Sequence, residues 1–182
     1  VLKIYSGTRY LLTELMPILD NIGLKVYEED TYELNFAGGT KFVNAVYFAD
    51  IEDPAAFCDD YKDVIPILIS KVLTGFLESD RLNCLALSEK LSYRQIAVLR
   101  GLRNFIRQIE SSFTLKTLNF ALINNSDIAK LLVKLFEVKY DPKVKKPEIE
   151  PIISEIMEKI DKVMSVAEDK ALRYYIQVPG GI

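Results

Sequence analysis

The spacing of apolar residues changes character at Asp53-Pro54, and that change divides the chain into two kinds of architecture. Upstream, Leu2-Lys3-Ile4, Leu24 to Glu28, Tyr32 to Phe36 and Lys41 to Phe48 alternate or run apolar over short stretches, as strands do. Asp30-Thr31 and Gly38-Gly39-Thr40 supply turn chemistry between the later runs. One helical pattern interrupts them: Thr13 is its expected N-cap, Leu15, Ile18, Leu19 and Ile22 form its apolar face, and Gly23 closes it. Strand, helix, strand, hairpin, strand is most of a ferredoxin-like α+β unit. Such a unit keeps one sheet face under helix and leaves the other free as a candidate interface.

Beyond Pro54 the period is helical. Pro54 suits the first helical position behind Asp53, and Pro66 marks a boundary within residues 55–78. A short helix follows at Leu82 to Leu87. Ser92 and Gln95 have capping-box spacing ahead of Ile96, Leu99, Leu102, Ile106 and Ile109, which recur on one expected core face. Thr114 to Asn124 carries Leu115, Leu118 and Leu122, and Ser126 is the expected cap of a helix over Asp127 to Tyr140. Lys, Pro and Glu dominate from Asp141 to Pro151, as in a solvated linker. Ile153, Ile156, Ile160 and Val163 then face one side of a final helical stretch, and Pro179-Gly180-Gly181 frays into an end. The division expected is an α+β segment over 1–53, a helical domain over 54–142, a linker over 143–151 and a C-terminal helix over 152–182.

Composition narrows the chemistry. The chain has no histidine and only Cys58 and Cys84, which removes most routes to a zinc site, a Cys-His nucleophile or a Ser-His-Asp triad. A net charge of -3 works against phosphate backbones and anionic lipid. The longest near-apolar run, Val64 to Ile69, is far too short to span a bilayer. Two unpaired thiols and a start at Val1 without an apolar leader lead us to expect a cytoplasmic piece of something longer. Gly38-Gly39 and Gly180-Gly181 are isolated doublets without the spacing of a nucleotide fingerprint, so no cofactor-binding residue is assigned.

Other residues invite a site reading. Arg100, Arg103 and Arg107 fall 3 and 4 residues apart, one basic stripe on the helix that Ser92 opens, whose entry superficially resembles a helix-turn-helix. The plainer expectation is a solvated face, with Glu110 pairing Arg107, or a surface that meets a neighbouring domain. The carboxylates Glu28, Glu29, Asp30, Asp50, Glu52, Asp53, Asp59 and Asp60 cluster at strand ends and a helix start, where turns and caps use them; no metal ligand is assigned. Neither cysteine has a base nearby in sequence, and inert thiols are expected.

Five segments, taken in order, resemble the large-type NAD-specific glutamate dehydrogenases of bacteria. They are Pro17 to Glu29, Gly75 to Leu85, Leu91 to Arg100 with Arg107-Gln108, Leu131 to Pro142, and Ala167 to Arg173. The sequence departs from the family pattern at Leu73 and Tyr93, where the family tends to carry Trp, at Leu82 for Phe and at Lys170 for Arg.

The resemblance implies a parent enzyme that oxidatively deaminates L-glutamate to 2-oxoglutarate and ammonium with NAD, as a large cytoplasmic homo-oligomer. It also implies that this piece lies upstream of the catalytic domain, with an ACT-like front and a helical-motif remainder. The family's catalytic lysines and Rossmann glycines have no counterpart here, so no catalytic residue is carried over. Expected partners are neighbouring domains of the parent chain, further copies and an amino-acid effector, with neither nucleic acid nor membrane. The rival readings are a stand-alone ACT-like amino-acid sensor and a helix-turn-helix-like binding module.

Overall fold

The computed structural model describes residues 1–143 and 147–180. Its contacts divide into two compact units, Val1–Asn83 and Cys84–Ile182.

The first unit contains β1 (Leu2–Ser6), α1 (Leu12–Ile22), β2 (Val26–Phe36), β3 (Gly39–Phe48), α2 (Pro54–Tyr61) and α3 (Ile65–Leu73). The three strands form an antiparallel sheet in the order β1-β3-β2. This arrangement is the front of the ferredoxin-like pattern: β1 and β2 run parallel with β3 inserted between them. The expected α+β class therefore holds. Asp30-Thr31 is not a turn, however; it lies inside one unbroken β2 of 11 residues. Thr31 is β-branched and suits a strand, and Asp30 is held in the ladder by two tyrosine hydroxyls. The one hairpin turn among the described residues lies at Ala37-Gly38, a residue ahead of the expected Gly38-Gly39-Thr40, and Gly39 takes φ +120°, a value open to glycine but strained for a side chain.

α1 starts earlier than its hydroxyl signal suggested. Leu11 is the cap residue, and the Glu14 carboxylate accepts its backbone N–H at 2.8 Å, leaving Thr13 inside the first turn. Gly23, at φ 94°, closes the helix as its position predicted, with its own N–H and that of Leu24 returned to the Leu19 carbonyl. Asp53 caps α2, its carboxylate accepting from the N–H groups of Ala55 and Ala56 at 3.0 Å. Pro66 marks the boundary expected of it, in the first turn of α3. The contact division keeps α2 and α3 with the strands and falls after Asn83, whereas the change of apolar spacing placed the expected boundary at Asp53. Helical period alone does not reveal that Ile65, Leu68, Ile69 and Val72 serve the core beside a sheet.

A short 3-10 turn, Arg81–Cys84, spans the division, and the second unit opens with a single turn α4 (Leu85–Ser88). It continues with α5 (Tyr93–Ile109), α6 (Leu115–Asn124), α7 (Ser126–Tyr140), α8 (Glu150–Ile160) and α9 (Val166–Gly180). Ser92 caps α5 as expected, and Gln95 accepts the Ser92 N–H at 2.9 Å in return. Ile96, Leu99, Ile106, Leu118, Leu122, Leu132, Ile156, Ile160, Leu172 and Tyr175 are fully enclosed. Ile109 and Leu115, read as core from their spacing, are 57% and 40% exposed, because each lies at a helix end where the buried face runs out.

Two further boundaries differ from expectation. Asn125, not Ser126, precedes α7; Ser126 is the first helical residue and donates its hydroxyl to Glu89 at 2.7 Å. The single C-terminal helix is two, broken at Asp161–Ser165, where the Val163 N–H closes on Ile160 and the Ser165 backbone carbonyl begins α9 by accepting from Asp169. Pro179 lies within α9 rather than in a frayed tail. Of the linker read over 143–151, residues 144–146 lie outside the described residues, as do Gly181 and Ile182; from Glu150 the chain is helical.

Candidate functional site

Paired residues of an antiparallel sheet share a face, so the register assigns every strand side chain. One face of the first unit carries Leu2, Ile4 and Ser6 from β1, Phe42, Asn44 and Val46 from β3, and Glu29, Thr31 and Glu33 from β2. Val46 and Asn44 are completely buried there. Asn44 stands on this face without an apolar side chain because its Nδ2 has acceptors: Glu29 Oε1 at 2.7 Å, Thr31 Oγ1 at 2.9 Å and the Tyr10 carbonyl at 3.3 Å. Its Oδ1 has no partner among the described residues. The network ties the β1–α1 loop to both other strands, and no sequence motif announced it, since each member is an ordinary polar residue on its own strand.

The opposite face carries Lys3, Tyr5, Lys41, Val43, Ala45, Tyr47, Glu28, Asp30, Tyr32, Leu34 and Phe36. Val43 is flanked by Tyr5 and Tyr32, and Ala45 by Lys3 and Asp30, so long side chains border the small central ones. Tyr5, Tyr32 and Phe36 are 71%, 50% and 61% exposed. The Asp30 carboxylate accepts from the hydroxyls of Tyr32 at 3.2 Å and Tyr47 at 3.4 Å. The Asp30 charge holds the Tyr32 phenol above its ordinary range, while burial first and Asp30 second do so for Tyr47. These phenols stay protonated at neutral pH and serve as hydrogen-bonding aromatic surface rather than as bases. The face that alternation left free in the sequence is thus an exposed aromatic one.

The arginine stripe is dispersed. Arg100 and Arg103 are 5% and 4% exposed, and Arg103 donates to Asn104 and Asn119 at 3.1 Å. Only Arg107 of the three faces solvent. A solvated face and a DNA-reading face both need exposed guanidinium groups, so Arg100 and Arg103 serve neither; helical spacing placed them on the side that α5 turns inward. Glu110, expected to pair with Arg107, instead accepts the Ser112 N–H at 3.1 Å and the Tyr174 hydroxyl at 3.0 Å; the Ser112 side chain first, then these two contacts, hold its carboxyl below the usual range.

The remaining candidates do not converge on chemistry. Among the described residues no three carboxylate, thiol or imidazole groups come together as a metal site. Asp53 is a helix cap, Asp59 meets Lys62 at 3.0 Å and Asp50 meets Lys25 at 2.8 Å. Cys58 is exposed and Cys84 half-buried, neither in a disulfide. No described helix is long and apolar enough to cross a membrane.

Residues 1–51 match the family model for the glutamate dehydrogenase ACT3 domain, and residues 77–142 match the model for glutamate dehydrogenase helical motif 3. The chain belongs to the glutamate dehydrogenase family through these two domains. The ACT3 match takes in β1, α1, β2 and β3, the whole of the sheet; the helical motif 3 match takes in α4 to α7. The chain is 28% identical over 187 residues to an NAD-specific glutamate dehydrogenase of Pseudomonas aeruginosa, covering 97% of this chain and 11% of that protein. It is 24% identical over 176 residues to an NAD-specific glutamate dehydrogenase of Halomonas elongata, with 96% and 11% covered. The chain therefore spans about one ninth of the length of these relatives.

Proposed function

We propose that this chain is an accessory region of an NAD-dependent glutamate dehydrogenase that converts L-glutamate to 2-oxoglutarate and ammonium, and that its work is assembly or regulation rather than chemistry. The observation that carries the reading is the succession of an ACT3 match and a helical motif 3 match within one chain aligned over 97% of its length to a much larger NAD-specific enzyme. NAD and the reacting carbonyl then belong to other parts of that enzyme. The exposed face bearing Tyr5, Tyr32, Leu34 and Phe36 suits burial against a neighbouring domain or another copy. An amino-acid effector would act here by preferring one arrangement of such contacts, and could shift activity only by its differential affinity. We place the enzyme in the cytoplasm as a homo-oligomer.

Two measurements test this. Sequencing the reading frame on both sides of residues 1–182 is expected to reveal a glutamate-binding domain with a catalytic lysine and a Rossmann fold; a frame without them removes the assignment. Deleting residues 1–182 from that enzyme is expected to change its oligomeric state or its response to amino acids. Unchanged kinetics and assembly, with no heat in amino-acid titrations of the intact enzyme, would refute the accessory role.

A further inference from the structure

The two edges of the three-stranded sheet are treated differently. β2 carries Glu28, Glu29, Asp30 and Glu33 and has a register irregularity between Val26 and Glu28, the charges and bulges with which proteins guard an edge. β1 has Leu2, Ile4, Tyr5 and Ser6 with a single charge at Lys3, and among the described residues it pairs with β3 alone. Beside that unguarded edge runs a cleft of about 270 Å³ between residues 2–6 and the side chains of Pro66, Ile69, Ser70 and Leu73 on α3, with Thr74 at its C-terminal end.

Topology says what shape fits. With β1, α1, β2 and β3 in split βαβ order and α3 lying beside β1, the next element of the pattern is a strand along the free edge of β1, antiparallel to it. The described residues do not supply one: Gly75 turns away at φ 70° after α3, and the next regular element is the 3-10 turn at Arg81–Cys84. A strand is also what the edge chemistry requires, because only an extended backbone satisfies the outward N–H and C=O groups of β1 in register.

We propose that the cleft between β1 and α3 receives an extended segment of the same polypeptide from outside residues 1–182, which completes a four-stranded sheet. The occupant alternates: apolar side chains point toward Leu2, Ile4, Ile69 and Leu73, and polar ones toward the face of Lys3 and Tyr5. Choice of the same polypeptide rests on the reading above, since relatives about nine times longer offer ample chain tethered at high effective concentration.

Residue-level hydrogen exchange on the full-length protein tests this. In an edge strand every second amide faces solvent and exchanges fast; in a covered strand all are slow. Amides of residues 2–6 are expected to be uniformly protected in the full-length protein and to alternate in the 182-residue chain. Ser70→Arg, at an exposed position of α3 on the cleft wall, is expected to restore alternation in the full-length protein, speeding the outward amides at least about a hundredfold while those bonded to β3 stay slow. Alternation in the unaltered full-length protein would overturn the proposal. So would uniform protection in the 182-residue chain that grows with concentration, which would make a second copy the occupant. A reading frame confined to these 182 residues would fail the functional reading at the sequencing step, before any exchange is measured.

Discussion

The two units share a chain and differ in how they use apolar residues. In the helical unit, spaced leucines and isoleucines from five long helices meet in one core, and Leu118, Leu122, Leu132, Ile156 and Tyr175 lose all contact with solvent. The sheet unit buries roughly half as many apolar side chains, yet leaves Tyr5, Tyr27, Tyr32, Leu34 and Phe36 on its surface. The outer part of its hairpin, residues 31–39, is exposed throughout. A two-stranded ribbon in water is marginal by itself. The lesson is that the helical unit is organised around its own interior, whereas the sheet unit holds apolar surface in reserve for something else to cover.

The sharpest test of this contrast is a cavity in the helical core. Leu122→Ala is expected to destabilise that unit by about 3 kcal/mol, read from the denaturant midpoint of its helical signal, because a fully enclosed leucine leaves a void that neighbours only partly close. A loss below about 0.5 kcal/mol, the size of a surface change, would mean that the core is not packed as described.

Next comes the polar interior of the sheet unit. Asn44→Ala is expected to cost about 2 kcal/mol, since it strips Tyr10, Glu29 and Thr31 of a shared buried donor. Stability equal to that of the unaltered chain would show that this network contributes nothing to the unit.

A smaller effect is expected from pH. The Lys159 ammonium, 2.6 Å from Asp127, holds that carboxyl below its usual range, so the pair stabilises the fold above the unfolded carboxylate value near about 4 and is lost as pH falls through the lower folded value. With Asp127 56% exposed, screening keeps the contribution below about 1 kcal/mol. Unfolding of the unaltered chain and Asp127→Asn should therefore differ at neutral pH and converge in acid. A difference that persists at low pH would assign the effect to something other than the ion pair.

The smallest change should come from the reserved surface. Phe36→Ser is expected to alter the stability of the 182-residue chain by less than about 0.5 kcal/mol, because this side chain is already mostly in water. In the full-length protein the same substitution should weaken whatever contact covers the face; destabilisation of the 182-residue chain itself by more than about 1 kcal/mol would show that Phe36 belongs to its core.

Local signals carried much of the architecture. Alternation identified β3 and both ends of β2, Asp53-Pro54 and Ser92 with Gln95 opened the helices they were read to open, and Gly23 closed α1. These outcomes depend on backbone conformation and hydrogen bonds within four residues, which a short stretch of sequence specifies. Asp30-Thr31 misled for the same reason: a turn preference is local, and it yielded to Tyr32 and to Tyr47, 17 residues away. Spacing likewise placed Arg100, Arg103 and Arg107 on one stripe without saying which way α5 would turn it.

What sequence alone determined is the class of each half, most of its elements and caps, and the resemblance to glutamate dehydrogenases. Tertiary structure decided that Arg100 and Arg103 lie inside, that Asn44 gathers the β1–α1 loop and β2 into one network, and that β1 and β2 are the two edges of a sheet centred on β3. Periodicity reports that a face is apolar or charged, but burial and strand order arise from contacts between residues far apart in the chain, and only the folded chain brings those residues together.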